Sequence, residues 1–196
     1  MSIDVDKLSR MSPPQGLPFN IGKLGHVVLQ VTDLERSTDF YTRILGFRIS
    51  DVYPEDMMPG GMVFLRCNPD HHALALVGQA TGQAQNIELN HVAFEVPTLD
   101  EVMRLREHLR QHQVTIDFDG RRRAGCQIAV EFRDPDNHRL EVYWGLDQVG
   151  SDGRVRAPHE WHGVPSLEDA IAHPVPGQDT TRWSTLTGSI ERPVIG

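Results

Sequence analysis

Cysteine is almost missing from this 196-residue chain, and long apolar runs are missing altogether. The two cysteines, Cys67 and Cys126, form no CxxC pair and cannot build a disulfide framework. Free buried thiols are expected, which suits a reducing compartment. Positive charge is in deficit: 19 Lys and Arg face 27 Asp and Glu, for a net charge of -8. That balance gives no general pull towards nucleic acid. The one basic cluster, Arg121-Arg122-Arg123, reads as a solvated loop, with a local anchor for an anionic substrate as the other reading. No stretch approaches the ~20 apolar residues of a membrane span, so no membrane partner is expected. The opening MSIDVDKLSR has acids where a secretory leader has basic residues and then an apolar core, and a cytoplasmic location is expected.

What is present is ordinary globular composition, 39% hydrophobic and 23% charged, enough for one sizeable domain. The informative feature is a repeat. LGHVVLQV at 24–31 returns as LNHVAFEV at 89–96, with Leu24/Leu89, His26/His91, Val27/Val92, Val31/Val96 and Leu34/Leu99 identical at an offset of 65. After the first copy, Asp33 is placed to cap a helix in LERSTDFYTRIL, whose stripe is Leu34, Phe40, Tyr41, Ile44 and Leu45, with Gly46 at its C-terminal cap. FRISDV, GMVFLRC and HALALVG then read as strands between Pro/Gly-rich and Asn-Pro-Asp turns. The second copy repeats the order: NHVAFEV, a helix in LDEVMRLREHLRQH, and strands in VTIDFD, QIAVEFR and HRLEVYW. The fold class is therefore α+β, with two tandem βαβββ modules forming a curled mixed sheet. The organisation expected is an arm over 1–22, modules over 23–82 and 83–147, and an extended tail over 148–196, making one domain overall. In the tail, SLEDAIAH is a candidate helix opened by Ser166 and Asp169, and Trp161 and Trp183 are expected to cover apolar surface of the domain or of a partner subunit. His159, His162 and His173 read as surface loop residues.

Side chains two apart share a strand face. His26 then lies with Val28 and Gln30, opposite Val27, Leu29 and Val31. Glu141 lies with Arg139 and Tyr143, opposite Leu140, Val142 and Trp144. If two such sheets curl towards each other, His26, His91 and Glu141 can meet, and two imidazoles with one carboxylate are the ligand set of non-haem Fe(II) oxygenases.

These residues resemble the vicinal oxygen chelate (glyoxalase/bleomycin resistance/dioxygenase) superfamily, and look closest to a single-domain form of the type I extradiol ring-cleavage dioxygenases. The similarity rests on GHVVLQVTDLERSTDFYTRILGF, FLRCNPDHHALALV, LNHVAFEV and FRDPDNHRLEVYW. It implies Fe(II), less often Mn(II), on His26, His91 and Glu141, and a catalytic histidine at His72 within HHALAL. Setting HHALALVG against HRLEVYWG puts Leu74 opposite Glu141; leucine cannot coordinate, so three protein ligands and open positions are expected. His72 is expected on the face of Leu74, pointing into the same cavity. Phe64 and Tyr143 are candidates for shaping the substrate pocket. Two departures stand out: Ala124 where the family has a histidine, and Glu131 where it has a tyrosine; Asn137 replaces a turn glycine. The resemblance implies a dioxygenase that cleaves a catechol-like aromatic ring with O2, as a homo-oligomer. The alternatives are a non-oxidative metal-dependent isomerase, epimerase or lyase with Glu131 as base, and a small-molecule-binding resistance protein.

Overall fold

In the computed structural model, residues 3–12, 15, 18, 22–149 and 154–181 are described. Trp183 lies outside them. The arm carries one helical turn, α1 (Val5–Ser9), which the sequence pattern did not announce; Asp4 caps it by accepting from Lys7 N at 3.0 Å, and it buries no side chain.

Local sequence sets the first half. Alternation in β1 (Val27–Gln30) buries Leu29 and exposes Val28 and Gln30. Asp33 accepts from Arg36 N at 2.9 Å and starts α2 (Leu34–Asp39). The helix then widens into a π turn over Phe40–Ile44, which turns the consecutive Phe40 and Tyr41 both into the core. Gly46, at φ 75°, ends it. The strands β2 (Arg48–Tyr53), β3 (Met62–Arg66) and β4 (Leu74–Val77) complete a mixed sheet of order β1-β4-β3-β2. The second half repeats this with β5 (Val92–Glu95), α3 (Leu99–Gln111), β6 (Ile116–Arg121), β7 (Ile128–Arg133) and β8 (Arg139–Trp144), in the order β5-β8-β7-β6. A Thr98–Glu101 capping box opens α3.

The duplication extends to irregularities. A register shift between Ile49 and Asp51 against β3 has its counterpart between Ile116 and Phe118 against β7. Strand pairing thereby aligns two cross-strand rows: Asp51, Phe64, Ala75 and Val28 in the first sheet, and Phe118, Glu131, Glu141 and Ala93 in the second. One apolar core runs through both halves, with Leu65, Leu74 and Leu76 on one side, Ile128, Phe132 and Leu140 on the other, and Phe47 and Phe94 edge to face at 5.4 Å between them.

A buried carboxylate joins the two halves. The Asp-Pro-Asp-Asn turn before β8 places Asp136, fully buried, at the start of α2. It accepts from Thr32 N at 2.9 Å, from the Thr32 hydroxyl, from Ser37 Oγ at 2.7 Å and from Arg36 Nη2 at 3.1 Å. Asp134 in the same turn accepts from Tyr41 Oη at 2.9 Å and from the backbone of Asp136 and His138. Burial pushes the Asp136 carboxyl up, but the hydrogen bonds from Thr32 and Ser37 and the charge of Arg36 outweigh it, and its pKa falls below 3.8.

The tail segment packs on the second half. Helix α4 (Leu167–Ala172), capped by Ser166, buries Leu167 and Ala170 against β6 and β7. Arg106 of α3 ties it down through Glu168 at 2.8 Å and Asp119 at 3.2 Å. Trp161 remains 36% exposed, its indole N–H on Arg156 O, so α4 rather than this tryptophan provides the cover. His159, His162 and His173 are exposed.

Arg121 corrects the reading of a solvated arginine loop. It is 2% exposed, forms a two-way backbone bridge with Val164, and donates to His162 O at 2.6 Å and Ala170 O at 3.2 Å. Carbonyl acceptors from the tail are what make that burial tolerable. Beside it, a Cβ on Gly120 would meet Val164 O at 2.2 Å, so only glycine allows the tail this close.

Two outcomes are expected. Asp136→Ala should cost about 3 kcal/mol in a urea titration at pH 7, since bonds to a buried charge contribute ~1.5–3 kcal/mol, with Asp136→Asn costing less. Because the folded pKa is lowered, this stabilisation is present above pH 3.8 and fades as pH falls through the folded value; the wild type should therefore lose stability more steeply in acid than Asp136→Asn. Gly120→Ala should cost roughly 1–3 kcal/mol by overpacking, and the cost should shrink in a chain ending at Gly150, which no longer has Val164 to meet.

Candidate metal centre

Each half presents one group of chemically active side chains on its open sheet face. In the first half, His26 directly precedes β1. Its ring lies 4.5 Å from that of His72, and His72 lies 5.0 Å from Phe64, itself 4.9 Å from Tyr53. His71 and His72 face each other Nδ1 to Nδ1 at 3.0 Å. Burial, helped by the neighbouring imidazoles of His26 and His71, lowers the pKa of His72. An imidazole in this setting favours its neutral form.

The strand pairing corrects one alignment. Val27 pairs with Leu74 and Val92 with Leu140, so the counterpart of Glu141 is Ala75, not Leu74. Leu74 is fully buried in the core. His72 lies in the turn ahead of β4, where strand alternation does not reach, so it does not follow Leu74 inward. Alanine coordinates no better than leucine, and the first half still offers no carboxylate at that place.

In the second half, His91 precedes β5 and its Nε2 lies 3.3 Å from Glu141 Oε2. Its Nδ1 faces Asn90 Oδ1 at 2.9 Å. In the tautomer that donates from Nδ1 to Asn90, Nε2 keeps a lone pair towards Glu141. Two lone-pair donors, Nε2 and a carboxylate oxygen, then lie 3.3 Å apart at a 2% exposed glutamate. A cation or a proton relieves that arrangement, and the donor types suit a divalent first-row metal. Gln127 Nε2 donates to the other oxygen, Oε1, at 3.2 Å. Burial pushes the Glu141 carboxyl up, Glu131 adds to this, and Gln127, His91 and Arg122 pull the other way.

Glu131 is the register partner of Glu141 across β7 and β8. Arg122 Nε donates to Glu131 Oε1 at 2.6 Å, and the guanidinium carbon stands 3.8 Å over the Phe118 ring. Tyr143, two residues on from Glu141, is half-buried; burial first, then the charges of Glu95 and Glu141, raise its pKa and keep it a phenol. Ala124 lines a cleft with Gly125, Asp147, Arg156 and Trp161, where the hairpin after β6 meets the tail.

The candidate residues thus fall into two groups: His26, His72 and Phe64 in the first half, and His91, Glu141, Glu131 and Tyr143 in the second. Among the described residues, no set of three or more His, Cys, Asp or Glu side chains converges on one point. His26 has His72 as its ring neighbour, not the His91–Glu141 pair. Gln127 and Arg122 were not legible as site residues. Gln127 is one polar residue ahead of a strand, and Arg122 reads as part of a basic run.

Glu141→Gln keeps the shape and removes an expensive buried charge. In chelator at pH 7 it is expected to melt above the wild type; equal or lower melting would count against an uncompensated carboxylate there.

Residues 23–142 match the model of the glyoxalase/bleomycin resistance protein/dioxygenase superfamily. An iron-dependent extradiol dioxygenase of Rhodococcus jostii RHA1 is 38% identical over 164 residues, covering 78% of this chain and 51% of its own. A biphenyl-2,3-diol 1,2-dioxygenase of Paraburkholderia xenovorans LB400 is 39% identical over 155 residues, covering 76% and 50%. The chain therefore spans about half the length of these curated relatives. Among solved structures, a domain of the same superfamily from Frankia sp. EAN1pec superposes with a TM-score of 0.55 at 23% identity, over 64% of this chain and 99% of that one, and supports the fold. With the duplicated βαβββ topology, these matches establish that the chain belongs to the glyoxalase/bleomycin resistance protein/dioxygenase superfamily.

Proposed function

We propose that the protein is an extradiol-type dioxygenase that cleaves a catechol-like ring with O2 at a metal held by His26, His91 and Glu141, with Fe(II) as the metal and Mn(II) as the variant. The observation that carries this reading is the His91–Glu141 pair, an imidazole nitrogen and a buried carboxylate oxygen 3.3 Å apart. It is supported by the extradiol dioxygenases that the chain resembles at 38–39% identity. In this reading His26 comes from the first half to complete the ligand set, and Ala75 leaves its own position without a donor. Bound there, the metal would supply Lewis acidity to adjacent phenol oxygens and a route for electrons between the diol and O2.

The remaining work falls to side chains. Glu131 accepts a proton from the diol at Oε2, since Arg122 occupies Oε1. His72 gives and takes protons beside the first-half ligand, 4.5 Å ring to ring from His26. Phe64 and Tyr143 wall the space for an aromatic substrate. In place of the family's tyrosine, Glu131 brings a second negative charge into register with Glu141. That favours proton removal over donation to anionic oxygen, and gives the non-oxidative isomerase or lyase reading its one specific support. A soluble, homo-oligomeric cytoplasmic enzyme fits either reading; no described helix is long and apolar enough to cross a membrane.

The test is anaerobic Fe(II) reconstitution followed by oxygen-electrode assays across a catechol panel. Stoichiometric iron and oxygen uptake are expected, with iron lost in His26→Ala, His91→Ala and Glu141→Ala. His72→Ala should keep its iron and lose about 10²–10⁴-fold in turnover, the usual weight of a general acid–base. Iron retained without oxygen uptake on any catechol would sink the dioxygenase reading in favour of the non-oxidative one.

A further inference from the structure

Many arginines of this acid-rich chain have a carboxylate partner within the fold. Two that have none, Arg48 and Arg66, are register partners across β2 and β3. Among the described residues, no hydrogen bond, ion pair or ring contact engages either guanidinium. Like charges set directly opposite each other on neighbouring strands are unfavourable. Arg66 comes two residues after Phe64, so it shares the open face with that ring, opposite the buried Leu65.

The duplication shows what these arginines lack. Phe64 and Glu131 occupy equivalent places in the two sheets, which makes Arg133 the counterpart of Arg66. Arg133 is neutralised within the fold: Nε donates to Asp117, and Nη1 donates to Asn137 Oδ1 at 2.9 Å. Asp117 sits in the register shift between Ile116 and Phe118, and its counterpart in the shift between Ile49 and Asp51 is Ser50. Serine supplies no charge, and the Ser50 Oγ is buried without a hydrogen-bond partner among the described residues. The nearby acids are engaged elsewhere. Asp51 accepts from Val52 N at 2.8 Å, and Asp70 is paired with Lys23.

We propose that Arg66, with Arg48 beside it, is an anion site that takes a carboxylate carried on the substrate's ring, so that the preferred substrates are carboxylated aromatic diols. The inference rests on the proposed function for the ring itself. The Phe64 ring leads from the arginines to the histidines, 5.0 Å from His72, which is 4.5 Å from His26. Strand β3 is two strands away from β1, on the order of 10 Å. A ring over Phe64 then has its hydroxyls at the imidazole end and its carboxylate at the guanidinium end. The planar fork of a guanidinium matches a carboxylate in two hydrogen bonds, and a bound anion also relieves the repulsion between the two arginines. The basic run at 121–123 does not offer this, since Arg121 is buried against the tail and Arg122 is held by Glu131.

Anaerobic calorimetry on the full chain, metal-free and Fe(II)-loaded, tests this with 3,4-dihydroxybenzoate and its uncharged analogue 4-methylcatechol. The wild type is expected to bind the benzoate more tightly. Arg66→Gln should weaken that binding about 10–100-fold, the weight of hydrogen bonds to a charged group, and leave 4-methylcatechol unchanged. Arg48→Gln should act in the same direction and less strongly, since Arg48 is the more exposed of the two. Ser50→Asp, which restores the acid found at 117, should cancel the preference with both arginines in place. Comparing each variant with the wild type removes differences intrinsic to the two ligands. Equal losses for both diols in Arg66→Gln would mark a structural role and overturn the inference, as would a wild type without preference; either leaves the proposed function standing. A chain that binds neither diol would overturn the proposed function, and this inference with it.

Discussion

One buried carboxylate joins the two halves of the fold. Asp136 is supplied by the turn before β8 and reaches across to the start of α2, where a backbone N–H, two hydroxyls and a guanidinium converge on it. A carboxylate at a helix N-terminus meets donors that have no partner inside the helix. Here Asp33 caps α2, and Asp136 instead takes its donors just ahead of that cap and from side chains of the first turn, so it docks one half of the chain on the other beside the helix start. The turn also sets the start of β8, and with it the depth at which Glu141 enters the sheet. Fold and candidate site therefore share one anchor.

Duplication explains the frame and divergence explains the chemistry. The two cross-strand rows are superposable in topology, down to the register shift beside each. Where the second half has Glu131 and Glu141, the first has Phe64 and Ala75. Both halves present an imidazole, His26 in one and His91 in the other, but only the second sets two glutamates beside it. The second half partners both of its glutamates from the β6–β7 hairpin, Glu131 with Arg122 and Glu141 with Gln127.

The second half also carries the tail. Arg121 faces away from the site into carbonyls at 162 and 170, while its neighbour Arg122 turns towards Glu131. Arg121 ends β6 and Arg122 opens the hairpin, so two adjacent arginines serve two unrelated purposes: one holds α4 and the other pairs with a carboxylate on the opposite face.

The sequence by itself determined the repeat, the α+β class, the order of strands and helices, and the caps at Asp33 and Ser166, because all of these depend on near neighbours and on a period of 2 or 3.6. It also put Glu141 on the strand face opposite Leu140 and Val142 by the same alternation. Alternation failed where the chain left the strand: His72 sits in a turn, and the counterpart of Glu141 proved to be Ala75, because register is a property of pairing and not of one segment. The burial of Arg121, the clamp of Arg122 on Glu131 and the reach of Asp136 to Thr32 were decided only by tertiary structure. Each joins residues between 9 and 104 positions apart through donors and acceptors that look solvated when read along the chain. Local pattern says which face a side chain takes; only packing says what it meets there.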